Sequence, residues 1–257
     1  MGRGAARGSV WLDGRSRRGR RGGQPSGLDR ERITAASVRL LDAEGLARFS
    51  MRRLAGELDV TAMSLYWYVD TKDDLLELAL DAALGELRPP APEDDGADWR
   101  EQLRDLAAQY RALLVRHPWL PPLAGRYLNI GPNALSFARG VRRVIRRAGL
   151  PAHRVTSAVS AVFQYVYGYG TFEGQFLSRV ADSGLTPDAF YEQAMSEVRR
   201  SPRAADHLRE SGELGEARGG HTVAEMMDRE FAYALDLLVA GIEAMAERGG
   251  RESGGSS

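Results

Sequence analysis

Apolar residues recur at three- and four-residue intervals from residue 28 to residue 247, and this period predicts helices throughout. The first carries an inward face of Ile33, Ala36, Val38, Leu40 and Leu41, is capped by Asp29 and ends at Gly45. Ser50 caps a short second helix, MRRLAGEL, and Asp59-Val60 forms a tight turn behind it. Thr61 caps a third helix, AMSLYWYV, which Asp70-Thr71 breaks. A fourth, over about 72–87, opens with the capping-box spacing Thr71-x-x-Asp74, so that Asp73 and Asp74 meet the positive end of its dipole. The run PPAPEDDGA at 89–97 interrupts the pattern and marks a hinge. Further helices are expected at about 98–116, 133–148, 152–179, 187–200 and 222–247, with 201–221 a loop. No segment alternates with period two, so the predicted class is all-α.

Two short helices joined by a three-residue turn make a helix-turn-helix. Leu54, Ala55, Leu58, Val60, Leu65 and Val69 supply its interior. The second helix then exposes Ala62, Met63, Ser64, Tyr66 and Tyr68. A helix of about seven residues is roughly 10 Å long, which suits insertion into a DNA major groove about 12 Å wide. Arg52 offers a bidentate fork for guanine or phosphate. Thr61 and Ser64 offer hydroxyls, Ala62 and Met63 apolar contact with thymine methyls, and Tyr66, Tyr68 and Lys72 contacts to passing phosphates. These eight residues are the candidate DNA-binding set.

Composition narrows the picture. The chain has 257 residues, 43% hydrophobic and 27% charged, which is ordinary for a folded protein. The absence of cysteine excludes disulfides, thiolate metal sites and a thiol nucleophile. The net charge is zero, and Lys72 is the only lysine. Residues 1–27 hold eight glycines, seven arginines and one acid, Asp13, and read as a disordered tail, as do residues 248–257. The arginine-rich tail is either an unstructured start or an arm adding phosphate or minor-groove contacts. No apolar run is long enough to span a membrane, and no apolar stretch follows the N-terminal arginines, so a cytoplasmic protein is expected.

The segment beyond the hinge is rich in aromatic side chains. They suit an apolar pocket for a flat lipophilic small molecule, with a few polar handles. The candidate lining is Tyr110, Arg126, Asn129, Phe137, Phe163, Gln164, Tyr167 and Glu173. The four histidines form no i, i+4 pair, so neither a metal site nor a cofactor is expected. No nucleophile–base–orienter set and no glycine-rich phosphate loop stand in the chain, so an enzyme is not expected.

The run from Asp29 to Leu87 resembles the DNA-binding domain of the tetracycline repressor (TetR) family. The phrase Ser64-Leu65-Tyr66-Trp67-Tyr68-Val69, followed by Lys72 and Leu75-Leu76, carries that resemblance. Trp99, the stretch 168–173 and the string Phe231-Ala232-Tyr233-Ala234-Leu235-Asp236-Leu237-Leu238 extend it into the second half. The resemblance implies an N-terminal helix-turn-helix domain over 28–88 and a helical ligand-binding and dimerisation domain over 98–247. It implies that Arg52 contacts guanine, that Ala62, Met63 and Ser64 face the groove, and that Tyr66, Tyr68 and Lys72 touch the backbone. It further implies a homodimer on a palindromic DNA operator, with heads about 34 Å apart, released by a small-molecule effector. A constitutive DNA-binding dimer with a purely structural second domain is the alternative. Asp59 stands where many members have glycine, and Ala62 and Met63 depart from the tetracycline repressor itself, so a different operator follows. The segment Leu123-Ala124-Gly125-Arg126-Tyr127 lacks the histidine of a magnesium–drug site.

Overall fold

A computed structural model describes residues 9–12, 27–92, 96–201 and 222–254. The expected loop at 201–221 lies outside them except for Ser201. Ten helices and no strand occur among the described residues. The chain divides into two compact units at Arg147/Ala148.

The first unit holds α1 (Arg30–Arg48), α2 (Met51–Glu57), α3 (Ala62–Leu65), α4 (Lys72–Leu84), α5 (Trp99–Arg116), α6 (Leu120–Ala124) and α7 (Pro132–Arg146). The expected caps are present. Asp29 accepts from the Arg32 N–H at 2.7 Å and Ser50 from Arg53 at 3.2 Å, and Thr71 and Asp74 form the reciprocal capping box. Helix α1 kinks at Gly45, where φ is 76°, and continues for one further turn. Helix α6 was not expected from the period; it is five residues long and two of them are proline.

The hinge at 89–97 does not separate the two units. Helix α4 is buried on nearly every face, which requires partners on more than one side. It packs on α1 and also against α6 and α7. By contact, α5, α6 and α7 therefore lie in the same compact unit as the helix-turn-helix. Helix α7 begins at Pro132, behind a glycine that has no side chain to cap it. The cap comes from α4: the Asp81 carboxylate accepts from Ala134 N–H at 2.9 Å and from Asn133 N–H at 3.3 Å. A Cβ at Gly131 would lie 2.2 Å from Asp81 Oδ1, so only glycine fits there.

His117, buried at the end of α5, joins three parts of this unit. Its Nδ1 is 2.6 Å from Asp42 of α1, its Nε2 is 3.1 Å from Glu86 beyond α4, and Trp119 Nε1 donates to the same Asp42 oxygen at 2.6 Å. Two carboxylate acceptors on one ring call for two N–H donors, which only the imidazolium has. Burial opposes that charge, but the hydrogen bond and charge of Asp42, and then Glu86, outweigh it and hold the pKa above its ordinary 6.5. A raised folded-state pKa means that protonation stabilises. The contribution is fully present below the unfolded pKa and is lost as pH rises through the folded value. Melting temperature should therefore fall as pH rises above the ordinary histidine range, and His117→Gln should flatten the slope; an unchanged slope in the variant would assign the pH dependence elsewhere.

The second unit holds α8 (Ala152–Ser183), α9 (Pro187–Arg200) and α10 (Val223–Gly254), which pack on one another. Val223, Met227, Phe231, Leu235, Val239 and Ile242 form the buried stripe of α10. Tyr165 and Tyr169 of α8 flank Phe231, and their hydroxyls donate to the Phe231 and Met227 carbonyls at 3.0 and 2.7 Å.

Two stretches expected to be disordered contain structure. Helix α10 runs on to Gly254 instead of ending at 247, because each added residue of an existing helix gains a bond without new nucleation. In the N-terminal tail, Ser9–Leu12 form a turn against α4, with Val10 only 1% exposed.

Candidate nucleic-acid interface

The turn between α2 and α3 carries Asp59 at φ 53°, the left-handed region, where aspartate is tolerated less well than glycine. Leu54 and Leu65 are fully buried on the two sides of this turn, and Ala55 and Val69 close the interior. Leu58 and Val60 are only partly covered. The frame thus sets α3 by its leucine and turns its other side outward.

Helix α3 is shorter than the eight residues expected. It runs from Ala62 to Leu65 and passes into tighter turns, with Tyr66 N–H bonded to Met63 O and Tyr68 N–H to Leu65 O. Tyr68 explains the break. It is buried rather than exposed, its hydroxyl donates to Leu28 O at 2.7 Å, and its carbonyl receives Arg30 Nη2 at 2.7 Å and Nε at 3.2 Å. Tyr68 therefore locks the frame, and the expectation that it meets phosphate is corrected. A residue left out of the candidate set takes the surface instead: Trp67 is 60% exposed.

The remaining candidates stand as follows. Met63 is 71% and Tyr66 44% exposed, and Thr61 and Arg52 are exposed as well. Thr61 Oγ1 accepts from Ser64 N–H at 3.2 Å and lies 2.9 Å from Ser64 Oγ, so the two hydroxyls share the cap of α3. Ala62 and Ser64 are half-buried beside them. Of the adjacent arginines on α2, Arg53 is engaged by Glu44 through Nε at 2.7 Å. Lys72, half-buried, donates to Phe49 O at 2.6 Å and lies over the Phe49 ring. An ammonium has three donors, so this bond leaves capacity for a phosphate.

The candidate ligand residues are distributed over both units. In the first, Tyr110 and Phe137 pack with ring centroids 5.7 Å apart. Arg126 is exposed and pairs with Asp73 at 3.1 Å. Asn129, at φ 51°, donates to Ala124 O and Tyr127 O, while its own Oδ1 is buried without a partner among the described residues. The Tyr127 hydroxyl is in the same condition, and burial, helped by Asp73, pushes its pKa up to about 12. Tyr127 was absent from the candidate set, since nothing in the period distinguishes a buried unpaired hydroxyl from a packed one. In the second unit, Phe163 and Tyr167 are half-buried on α8, Glu173 is buried, and Gln164 is exposed rather than turned inward. No group of three or more metal-binding side chains occurs among the described residues, and no described helix is long and apolar enough to cross a membrane.

A short helix presented outward on a helix-turn-helix frame, in an otherwise all-helical chain, defines a DNA-binding regulator of the helix-turn-helix class. Residues 33–79 match the family of bacterial regulatory proteins called the tetR family, and residues 90–246 match the tetracyclin repressor-like C-terminal domain. The chain belongs to the TetR family of transcriptional regulators. It is 38% identical over 219 residues to an HTH-type transcriptional regulator of Saccharopolyspora erythraea, covering 85% of this chain and 86% of that protein. It is 34% identical over 247 residues to the HTH-type transcriptional repressor DrrR1 of Streptomyces coeruleorubidus, covering 95% and 87%. Among solved structures, the Streptomyces coelicolor TetR family protein ActR in complex with actinorhodin superposes with a TM-score of 0.67 at 27% identity, covering 86% of this chain and 97% of ActR.

Proposed function

We propose that the protein is a repressor that binds a palindromic operator as a homodimer and is released by a small lipophilic molecule. The observation that carries this reading is the outward face of Met63, Tyr66 and Trp67, with Arg52 exposed on α2, on a frame in which Leu54, Ala55, Leu65 and Val69 are buried. One four-residue helix contacts too few bases to specify a site, so two copies are needed. The second unit supplies a surface for pairing: α10 exposes Tyr233 and Leu237 outside its buried stripe, and α8 exposes Phe172. Large apolar side chains gathered in this way mark an interaction surface. Effector response is supported by the buried, unpartnered Tyr127 hydroxyl and Asn129 Oδ1, since such atoms ordinarily meet water or a ligand. It is supported as well by ActR having been solved with actinorhodin.

The test is binding to the DNA upstream of the protein's own gene, followed by titration with lipophilic polycyclic compounds. Arg52→Ala should lose discrimination at one base pair, at a cost of about 1–3 kcal/mol, with the fold intact by circular dichroism. Unchanged selectivity across a set of single-base operator variants would remove Arg52 from the base-reading residues.

A further inference from the structure

The hydrogen bonds to Glu77 come from the N-terminal tail. Glu77 lies in the middle of α4 and is 5% exposed. The Ser9 hydroxyl donates to its Oε1, and the Val10 N–H donates to its Oε2 at 2.9 Å. The tail closes on itself around this grip, with Leu12 N–H bonded to Ser9 O at 3.0 Å and Trp11 N–H to Ser9 Oγ at 3.2 Å. Val10 is 1% exposed, and Leu12, at the end of the turn, is 64% exposed. A hydroxyl, an adjacent amide and a branched apolar side chain are thus read together by one carboxylate and the surface around it.

The neighbouring carboxylates on α4 have other partners. Asp74 accepts from Thr71 N–H, and Asp81 accepts from the first turn of α7. Glu77 and Asp81 lie one turn apart, and like charges at that spacing repel. Helix α4 therefore carries a buried carboxylate whose donors arrive from a segment 67 residues earlier in the chain. At its start Lys72 bonds Phe49 O beneath the reading head, and at its far end Asp81 caps α7. A contact at its middle bears on both.

We propose that Glu77 and its surroundings form a peptide-binding site on α4, and that Ser9–Leu12 are its tethered ligand, which braces α4 when seated and frees it when displaced. The ligands this site takes are short segments or small molecules with a hydroxyl and an amide N–H on adjacent positions beside a branched apolar group. The consequence for operator binding rests on the DNA-binding reading above; the docking itself does not.

The test uses the full chain, a chain lacking residues 1–12, and Val10→Asp, which releases the tail without touching α4. Val10→Asp retains all seven arginines of the tail, so an effect it shares with the truncated chain, which lacks Arg3 and Arg7, does not come from lost phosphate contacts. Amides of residues 72–84 should exchange with deuterium about ten-fold faster or more in both, the scale of one charge-assisted hydrogen bond. A synthetic peptide of residues 5–14 added to the truncated protein should bind saturably and restore slow exchange, while the same peptide carrying Val10→Asp should not. Affinity for the upstream DNA should fall several-fold in both altered proteins and recover with the peptide. Unchanged exchange in the truncated and Val10→Asp proteins, or failure of the peptide to bind, overturns the site. Faster exchange with unaltered DNA affinity overturns the bracing role. If even the unaltered chain fails to bind that DNA, the operator reading falls while the exchange result still decides the site.

Discussion

Leu237→Asp, alone or with Tyr233→Asp, is expected to yield a monomer whose operator affinity falls by about 100-fold or more. Tyr233 and Leu237 lie four residues apart on α10, outside its buried stripe, and are 68% and 58% exposed. Stable homodimers bury apolar surface of this kind, and an unpaired carboxylate at its centre would have to be desolvated. Two linked reading heads gain about 10²–10⁴ in affinity over either alone, and that factor is lost on dissociation. Analytical ultracentrifugation together with operator titration measures both quantities. A variant that sediments as a dimer and binds with native affinity would place the interface elsewhere. The second unit should keep its fold in the variant, because neither side chain belongs to the stripe packed on α8 and α9.

Leu65→Ala is expected to destabilise the first unit by about 2–5 kcal/mol, the usual result of truncating a fully buried leucine. Leu65 is 0% exposed and is the buried side chain of a four-residue helix, so the remaining turn has little to replace it. For a unit of this size the corresponding fall in melting temperature is about 5–15 °C. The contrast is Met63→Ala, two positions earlier and 71% exposed, which should change stability by no more than about 0.5 kcal/mol while altering DNA contact. Equal melting of the Leu65→Ala and native proteins would show that α3 is not held by its leucine.

The elements legible in the sequence are those held by local interactions. The caps at Asp29, Ser50, Thr61 and Thr71 act across three residues and can be read directly from residue type and spacing. The interior of the helix-turn-helix is likewise legible from its leucines. What escapes is governed by partners far away in the chain. Tyr68 looks like a surface residue of α3 until Leu28 O and the Arg30 guanidinium turn it inward, which shortens the helix and brings Trp67 to the surface. His117 looks like one of several scattered histidines until Asp42 and Glu86 converge on it from 75 and 31 positions away. The tail has the composition of a disordered segment, yet one valine and one serine suffice where a buried carboxylate awaits donors. In the candidate ligand set, residue type could not tell that Gln164 faces solvent or that the Tyr127 hydroxyl is buried and unpaired among the described residues.

The cap that Asp81 provides for α7 makes two helices one mechanical part. Ordinarily a helix carries its own first-turn acceptor and can slide past its neighbours without losing it. Here Gly131 has none to give, and Pro132 and the close fit of Gly131 against Asp81 leave no room to install one. Sliding α4 along its axis would strip α7 of its acceptor, so the cheaper motion carries both together, like two spokes fixed to one hub. Whatever pushes on α7 therefore steers Lys72 and the reading head at the other end of α4.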